Sequence, residues 1–456
     1  MREYLLTLLV TATVTYLLTP LVRRGAVKTG AIHAARDRDV HVVPIPLLGG
    51  IAMYGGLAAG LWVAGQVTPL RTVFTGTGMA SGLLLAGGLI VVVGFVDDRW
   101  GMNPISKLAG QVAAGAIIVW KGAELNWLPE PGRGTLILTS NQSIALTILV
   151  VVATINAVNF IDGLDGLAAG VICIAAVSFF IYYYALTKVE HLSAEAGPAL
   201  AAIVLAGACI GFLPHNFYPA RIFMGDTGSM LLGLLLAYVP ITSIASLDPS
   251  TLTNYGHGAL NRFPQILPLI PPAAIMVIPY ADLVLAVIRR TRAGQPLSTP
   301  DTKHLHHRLL DIGHSQRASV LIMYLWAALF SGTVVWLSIA RTQVVVFVVT
   351  TLAAVLVLLL MSMPRLRWWD RAPRPAAGVG DAVRAAAEGI VPVSSATAGT
   401  ATAGTSAAGT SAVDRPAAGT LAVDRSADGN PREDRRPGAA PWGRAPAPPG
   451  IPARPR

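Results

Sequence analysis

Four short segments of the sequence, each next to apolar stretches, group aspartate, asparagine or histidine side chains closely together. Carboxylate and amide oxygens suit a hard cation such as Mg²⁺, whereas basic side chains suit phosphate groups. The segments therefore predict a site where a metal and phosphates meet. In chain order they carry Asp97 and Asp98; Asn156, Asn159, Asp162 and Asp165; Asn216, Phe223 and Asp226; and His304, His306, His307 and Arg308.

The second segment has the most informative spacing. Asn156, Asn159 and Asp162 follow one another at intervals of three residues, which places their side chains on one face of a helix. Glycines after Asp162 and Asp165 let the backbone turn sharply and approach a ligand. The pattern favours a Mg²⁺ site over its alternative, a helix–helix turn with aspartate caps.

Two other segments have structural alternatives that remain open. Asp97 and Asp98, followed by Lys107, form either a charged site at the membrane surface or a solvated helix cap. The turn from Gly225 to Ser229 precedes an apolar helix, where free N–H groups suit a phosphate and Asp226 suits a metal. A simple helix N-cap is the equally weighted alternative for this turn.

The fourth segment combines three histidines with Lys303 and Arg308. Zinc needs neutral imidazoles and usually a closed set of ligands. No cysteine lies close in sequence and the flanking charges are positive, so an anion site is favoured over zinc. A solvated basic loop is the remaining alternative.

Long apolar blocks between these segments indicate a membrane protein. Of the 456 residues, 53% are hydrophobic and 13% charged, with a mean hydropathy of +0.58. The net charge of +10 is spread between apolar blocks, so we expect no nucleic-acid binding. We predict an all-α polytopic fold with about eleven transmembrane helices. They are Tyr4–Val22, Leu47–Gln66, Met79–Val96, Ile105–Trp120, Ile144–Ile161, Leu164–Leu186, Ala199–Leu213, Ser229–Ala245, Leu267–Ile288, Ala318–Ala340 and Thr342–Met363.

Basic residues predict the orientation in the membrane, because Lys and Arg prefer cytoplasmic loops. The loops after the first and ninth helices are the most basic and fall on the same side. We therefore expect the N-terminus outside, the C-terminus inside and all four polar segments at the cytoplasmic face. Residues 366–456, rich in Ala, Gly, Thr, Pro and Arg, predict a disordered cytoplasmic tail after a membrane domain of residues 1–365.

The four segments, in this order, resemble those of the polyprenyl-phosphate N-acetylhexosamine-1-phosphate transferase family. The resemblance covers roughly residues 1–365 and includes the segment Pro44-Ile-Pro-Leu-Leu-Gly-Gly50. It rests mainly on Asn-x-x-Asn-x-x-Asp-Gly-x-Asp-Gly and Phe-Met-Gly-Asp-x-Gly-Ser. It implies a multi-pass enzyme of the bacterial plasma membrane that uses Mg²⁺, with Mn²⁺ as the alternative ion.

The resemblance also implies a role for each matching residue. Asp97, Asp98 and Lys107 match the catalytic positions near the acceptor lipid phosphate. Asp226 matches the main magnesium ligand, and Asn159 matches a second metal position. The substrate-binding matches are Asn156, Asp162, Asp165, Asn216, Phe223 and Arg308. Of these, Asp165 is expected on the uracil edge and Phe223 is expected to stack on uracil. His304, His306 and His307 match the catalytic loop near the sugar diphosphate.

The histidine segment indicates the branch of the family. The sequence His-Leu-His-His-Arg-Leu differs from the Pro-x-His-His-His-x-Glu pattern of phospho-N-acetylmuramoyl-pentapeptide transferases. It implies transfer of N-acetylglucosamine-1-phosphate from UDP-N-acetylglucosamine to undecaprenyl or decaprenyl phosphate, with release of UMP, as the first membrane step of a cell-wall or surface glycan. The chain is expected as a monomer or a homodimer.

Other classes of protein remain as alternatives. The muramoyl-pentapeptide branch is the first alternative. A secondary transporter also has many helices, but its site would lie near the bilayer midplane, often between internal repeats. An inactive sugar-nucleotide sensor would keep the pocket without turnover, which the retained Asp97, Asp98 and Asp226 disfavour.

Overall fold

The computed structural model describes residues 1–33, 44–74, 78–130, 134–189, 196–247, 313–339 and 343–362, with a few single positions between 280 and 309. The chain divides into two units, Met1–Pro373 and Arg374–Arg456, and every described residue belongs to the first. The predicted ninth helix, Leu267–Ile288, lies almost entirely outside the described residues, as do the histidine segment and the predicted tail.

The described residues form eleven helices and two short hairpins. The helices are α1 (Arg2–Thr29), α2 (Gly49–Gln66), α3 (Thr68–Phe74), α4 (Met79–Trp100), α5 (Pro104–Trp120), α6 (Ser140–Ile161), α7 (Leu167–Val189), α8 (Ala196–Asn216), α9 (Gly225–Ser246), α10 (Gln316–Ile339) and α11 (Gln343–Ser362). The strands are β1 (Ile32–His33), β2 (Ile45–Pro46), β3 (Trp127–Glu130) and β4 (Gly134–Ile137).

The mainly helical membrane fold predicted from the sequence is confirmed. Among the described helices, α1, α4, α6, α7, α8, α9 and α10 are long and apolar enough to cross a membrane. The description as all-α needs a small correction, because β1 pairs with β2 and β3 pairs with β4, both antiparallel. The short helix α3 was also not predicted.

Several helix ends differ from the predicted ones. Helix α1 continues to Thr29, α4 to Trp100, and α9 begins at Gly225. In each case the extra turn carries charged residues, which an apolar pattern does not include. Asp97 and Asp98 therefore lie in the last turn of α4 rather than after it, and Asp226 lies in the first turn of α9.

Helix α9 is at the centre of the bundle. It packs against α2, α4, α6 and α8, and nearly all of its side chains are buried. Helix α1 packs against α2 and α8 on one side, and α7 packs against α8 and α10 on another. The apolar faces of α1 and α11 that remain exposed, which include Leu9, Leu17 and Leu352, are the surfaces expected to meet lipid.

The β3–β4 hairpin covers the C-terminal end of α9. Trp127 is 1% exposed, and its indole N–H lies 3.1 Å from the carbonyl of Ile244 and 3.2 Å from that of Leu247. The last carbonyls of a helix have no partner within the helix. The hairpin supplies one donor to this end, and the backbone N–H of Leu125, just before the hairpin, donates to Thr147 in α6.

We expect replacement of Trp127 by Phe to lower the free energy of unfolding by about 1–3 kcal/mol, because a buried donor is lost and the smaller phenyl ring leaves part of the indole's space unfilled. Thermal unfolding in detergent measures this loss. Trp120→Phe is the matched control, since Trp120 is 73% exposed. Equal midpoints for the two variants would contradict a stabilising role for the indole hydrogen bond.

Candidate active site

A carboxylate from the end of α4 holds the first turn of α9. Asp98 Oδ1 accepts a hydrogen bond from the N–H of Asp226 at 2.8 Å. Its Oδ2 accepts from the N–H of Thr227 at 3.1 Å and from the Thr227 hydroxyl at 2.5 Å. The first N–H groups of a helix lack partners, and its positive end favours an anion. Asp98 therefore caps α9 from a neighbouring helix.

Two glycines make this contact sterically feasible. A Cβ at Gly94 would lie 2.4 Å from Thr227 Cα, so α4 can approach α9 only without a side chain there. Gly225 has a φ of +67°, and a Cβ on it would lie 2.3 Å from Asp98 Oδ2. Larger residues at either position would separate the carboxylate from the helix it caps.

Lys107 bridges two carboxylates at the same end of the bundle. Its Nζ donates to Asp97 Oδ2 at 2.9 Å and also to Asp226 Oδ2. Asp97 Oδ1 accepts from the N–H of Met102 at 2.7 Å. The side chains of Asp97, Lys107 and Asp226 are 14%, 18% and 26% exposed, so the group remains open to solvent. It combines two negative charges with one positive charge.

The local sequence explains where Lys107 stands. Asn103 caps α5 by accepting a hydrogen bond from the N–H of Ser106 at 2.8 Å, and Pro104 is the first helical residue. Proline is favoured there because its fixed φ suits a helix and its missing N–H is not needed. Lys107 is thereby fixed one turn into α5, facing the end of α4.

Helix α6 contributes the two asparagines that the spacing predicts on one face. Asn159 Oδ1 accepts from the Ser229 hydroxyl of α9 at 2.7 Å. Asn156 Nδ2 donates to Gln111 Oε1 of α5 at 2.7 Å. Each amide therefore connects α6 to another helix that carries a charged group, and the predicted common face is confirmed.

Asp162 follows the last residue of α6 and lies among other acids. Desolvation, together with the nearby carboxylates of Asp226, Asp98 and Asp165, raises the pKa of its carboxyl to about 8. Carboxylates that disfavour one another's ionisation are typical of a site that receives a cation.

Asp165 and Asn216 hold the loop between α8 and α9. Asp165 is 2% exposed, and its Oδ2 accepts from the N–H of Ala220 at 2.8 Å. Asn216 is also 2% exposed; it accepts from the N–H of Gly166 and donates to the carbonyl of Ile222, both at 3.1 Å. Both side chains are thus used within the protein. A contact of Asp165 with the uracil edge remains a prediction.

Phe223 is fixed through its backbone. Its N–H donates to the carbonyl of Pro46 at 2.9 Å, and its carbonyl accepts from the N–H of Gly49 at 3.1 Å. A Cβ at Gly50 would lie 2.3 Å from the backbone of Gly228. The segment Pro44–Gly50 therefore packs directly against the loop that presents the half-buried Phe223 ring.

The residues present fit a magnesium ion of the usual kind. Mg²⁺ commonly binds through one or two carboxylates while substrate phosphates and waters complete its shell. Asp226, partly exposed and close to further carboxylates, would supply such a ligand. Asn159 of α6, whose amide oxygen accepts from Ser229 three residues after Asp226, would supply an amide oxygen. Among the described residues no group of three His, Cys, Asp or Glu side chains forms a ready-made metal centre.

The structure brings together most residues that the sequence predicts. Asp97, Asp98, Lys107, Asn156, Asn159, Asp162 and Asp226 gather at the ends of α4, α5, α6 and α9. His304, His306, His307 and Arg308 lie outside the described residues. Two contributors were missed, Gln111 and Thr227. Gln111 is a lone amide one turn after Lys107, and Thr227 lies inside the Gly-Asp-Thr-Gly-Ser segment, so both carried a signal.

We expect Thr227→Val to lower the free energy of unfolding by about 1.5–3 kcal/mol, because a hydrogen bond to a charged carboxylate is lost. The measurement is thermal unfolding of the purified protein in detergent. Thr227→Ser keeps the hydroxyl and should lose much less. A Thr227→Val variant as stable as the unmodified protein, or no less stable than Thr227→Ser, would contradict a stabilising role for the hydroxyl bond to Asp98.

Comparison with known proteins agrees with this geometry. The family model described as Glycosyl transferase family 4 matches residues 80–244, which contain every predicted site residue except those of the histidine segment. The decaprenyl-phosphate N-acetylglucosaminephosphotransferase of Mycolicibacterium smegmatis is 41% identical over 367 residues, covering 79% of this chain and 89% of that protein.

Two further relatives have similar names. The decaprenyl-phosphate N-acetylglucosaminephosphotransferase of Mycobacterium tuberculosis is 41% identical, with 72% of this chain and 81% of the relative covered. A probable undecaprenyl-phosphate N-acetylglucosaminyl 1-phosphate transferase of Bacillus subtilis is 31% identical, with 73% and 84% covered. Because the similarity extends over most of each relative, the chain belongs to glycosyl transferase family 4, in its polyprenyl-phosphate N-acetylglucosamine-1-phosphate transferase branch.

Proposed function

We propose that this enzyme transfers N-acetylglucosamine-1-phosphate from UDP-N-acetylglucosamine to a polyprenyl phosphate, releasing UMP. The observation that carries the proposal is the joint placement of Asp97, Lys107 and Asp226 at one end of the helical bundle, beside the Phe223 loop. A lipid phosphate arrives from the bilayer and a nucleotide arrives from water. We expect these helix ends to lie at the membrane surface, where both substrates can meet.

Asp226, assisted by Asn159, is the proposed holder of Mg²⁺, with Mn²⁺ as the alternative. When bound, the ion would neutralise charge on the diphosphate of the donor. Lys107 offsets part of the negative charge of Asp97 and Asp226, which its ammonium contacts, and so lowers the repulsion that an incoming phosphate meets. Positive charge is needed here because two phosphate-bearing substrates repel each other.

The proposed reaction is a direct displacement. An oxygen of the lipid phosphate attacks the sugar-bearing phosphorus, a new P–O bond forms, and the bond to the UMP oxygen breaks. Asp97 is the proposed base, because its side chain is partly exposed and each of its oxygens has a single donor, the N–H of Met102 or the ammonium of Lys107, which leaves a lone pair for a remaining proton of the lipid phosphate. Asp98 is an unsuitable base, because three donors of α9 already occupy its carboxylate.

N-acetylglucosamine is the proposed sugar, and undecaprenyl or decaprenyl phosphate the proposed acceptor. The named activities of the three relatives support this choice over the muramoyl-pentapeptide donor. A transporter is disfavoured because the charged residues lie at helix ends rather than at the bilayer midplane.

We also propose a full arrangement of the chain in the membrane. The apolar blocks of the sequence support about eleven transmembrane helices. The basic-loop pattern supports a cytoplasmic active site, an outside N-terminus and an inside C-terminus. Residues 1–365 are proposed as the membrane domain and 366–456 as a disordered tail. Whether two copies associate as a homodimer is a separate prediction.

A donor screen on purified protein tests the function. We expect UMP release with UDP-N-acetylglucosamine, polyprenyl phosphate and Mg²⁺ together, and none when the acceptor or the metal ion is omitted. Asp226→Asn should lower turnover at least about 100-fold, whereas Glu3→Gln, in the first turn of α1, should have little effect. Turnover only with the muramoyl-pentapeptide donor would move the enzyme to the other branch.

Cysteine labelling tests the orientation. Trp100 at the C-terminal end of α4 and Trp120 at the C-terminal end of α5 are 67% and 73% exposed. Because consecutive transmembrane helices run in opposite directions, these two ends should face opposite sides of the membrane. With Cys173 and Cys209 replaced by Ala, a membrane-impermeant maleimide should label Trp120→Cys in intact cells. It should label Trp100→Cys only after the cells are opened. The reverse pattern would place the site outside.

A further inference from the structure

One buried amide joins three of the helices that form the site. Gln111 of α5 is 1% exposed. Its Oε1 accepts from Asn156 Nδ2 of α6 at 2.7 Å, and its Nε2 lies 3.6 Å from Met230 Sδ of α9. The sequence motifs do not include Gln111, and the mechanism above does not use it.

The orientation of this amide pair follows from a fixed acceptor. Asn156 Nδ2 also lies 2.8 Å from the carbonyl of Val152, which can only accept a hydrogen bond. The atom of Asn156 that faces Val152 and Gln111 is therefore nitrogen, and the facing atom of Gln111 is oxygen. Both amide hydrogens of Asn156 are thereby used, and its carbonyl oxygen is left for another partner.

Each of the three joined residues lies one helical turn from a polar site residue. Gln111 is four residues after Lys107, Met230 is four residues after Asp226, and Asn156 is three residues before Asn159. Residues three or four apart share a face of a helix. The contacts of Gln111 therefore form a layer directly below Lys107, Asp226 and Asn159.

We propose that Gln111 is a positioning residue for the transfer reaction, which sets the spacing of α5, α6 and α9 so that Lys107 reaches both Asp97 and Asp226. This inference rests on the proposed function. Gln111 touches none of the charged residues and acts through Asn156 and Met230.

Packing alone does not account for an amide at this position. A buried amide must be hydrogen-bonded to avoid a desolvation penalty, whereas an apolar side chain of similar size carries no such penalty. Helix α5 also has apolar contacts of its own: a Cβ at Gly110 would lie 2.7 Å from Val93, and one at Gly115 would lie 3.4 Å from Ile148. The hydrogen bonds of the amide fix the relative orientation of the packed helices as well as their spacing. The charged residues one turn above depend on that orientation.

Gln111→Met tests this inference, because it keeps the size of the side chain and removes the acceptor for Asn156. We expect kcat to fall about 10- to 100-fold, since small misplacements of reacting groups have effects of this size. The KM values for UDP-N-acetylglucosamine and for polyprenyl phosphate should change little.

Gln316→Met is the matched control. Gln316 is 7% exposed, and neither atom of its amide has a hydrogen-bond partner among the described residues. The same substitution at similar burial should leave kcat near that of the unmodified enzyme. Purification yield and thermal midpoint are measured for all variants, so that loss of folded protein is separated from loss of turnover.

The outcomes separate this inference from the proposed function. If the unmodified enzyme releases no UMP from any nucleotide sugar, the proposed function fails. If it turns over and Gln111→Met has a normal kcat, only the positioning role is overturned. The same conclusion follows if the loss in Gln111→Met matches a loss of folded protein, or if the KM values rise while kcat is kept.

Discussion

Asp98 accepts three hydrogen bonds from the first turn of α9, and the arrangement of the site depends on this contact. A carboxylate in a poorly hydrated position is costly unless donors satisfy it. The N-terminus of a helix offers such donors and a favourable dipole. The contact fixes the end of α4 to the start of α9, so Asp97 and Asp226, which adjoin the contact on either side, face the same ammonium of Lys107.

The aspartates of the motifs therefore have two different roles. Asp98 and Asp165 accept backbone N–H groups and hold a helix and a loop in place. Asp97 and Asp226 contact a single ammonium and remain partly exposed. Asp98 is held by three donors of one helix turn, whereas Asp97 accepts a single main-chain N–H, from Met102, and shares the ammonium of Lys107 with Asp226. Neighbouring aspartates in one motif thus differ in role because of their partners.

The sequence predicted the helices well and their polar ends less well. Apolar blocks located α1, α2 and α4–α11, because spans must be apolar throughout. The last turn of α4 and the first of α9 were missed, since Asp97, Asp98 and Asp226 interrupt the apolar pattern while staying helical. Spacing on one helix predicted the shared face of Asn156 and Asn159. The cap by Asp98 and the link through Gln111 join different helices, and no pattern within a single helix contains them.

The polar side chains of the site are ordered by depth in the bundle. Charged groups such as Lys107 and Asp226 lie in the terminal turns of α5 and α9. One turn deeper are neutral amides, Gln111 and Asn156, which hydrogen-bond to each other. The next turn is apolar, with Ala114 and Leu234 fully buried. This order follows from the free energy of desolvation, because burying a charge is far less favourable than burying a hydrogen-bonded amide. The amide layer thus lets a charged site adjoin an apolar interior, and it orients that site through directional bonds.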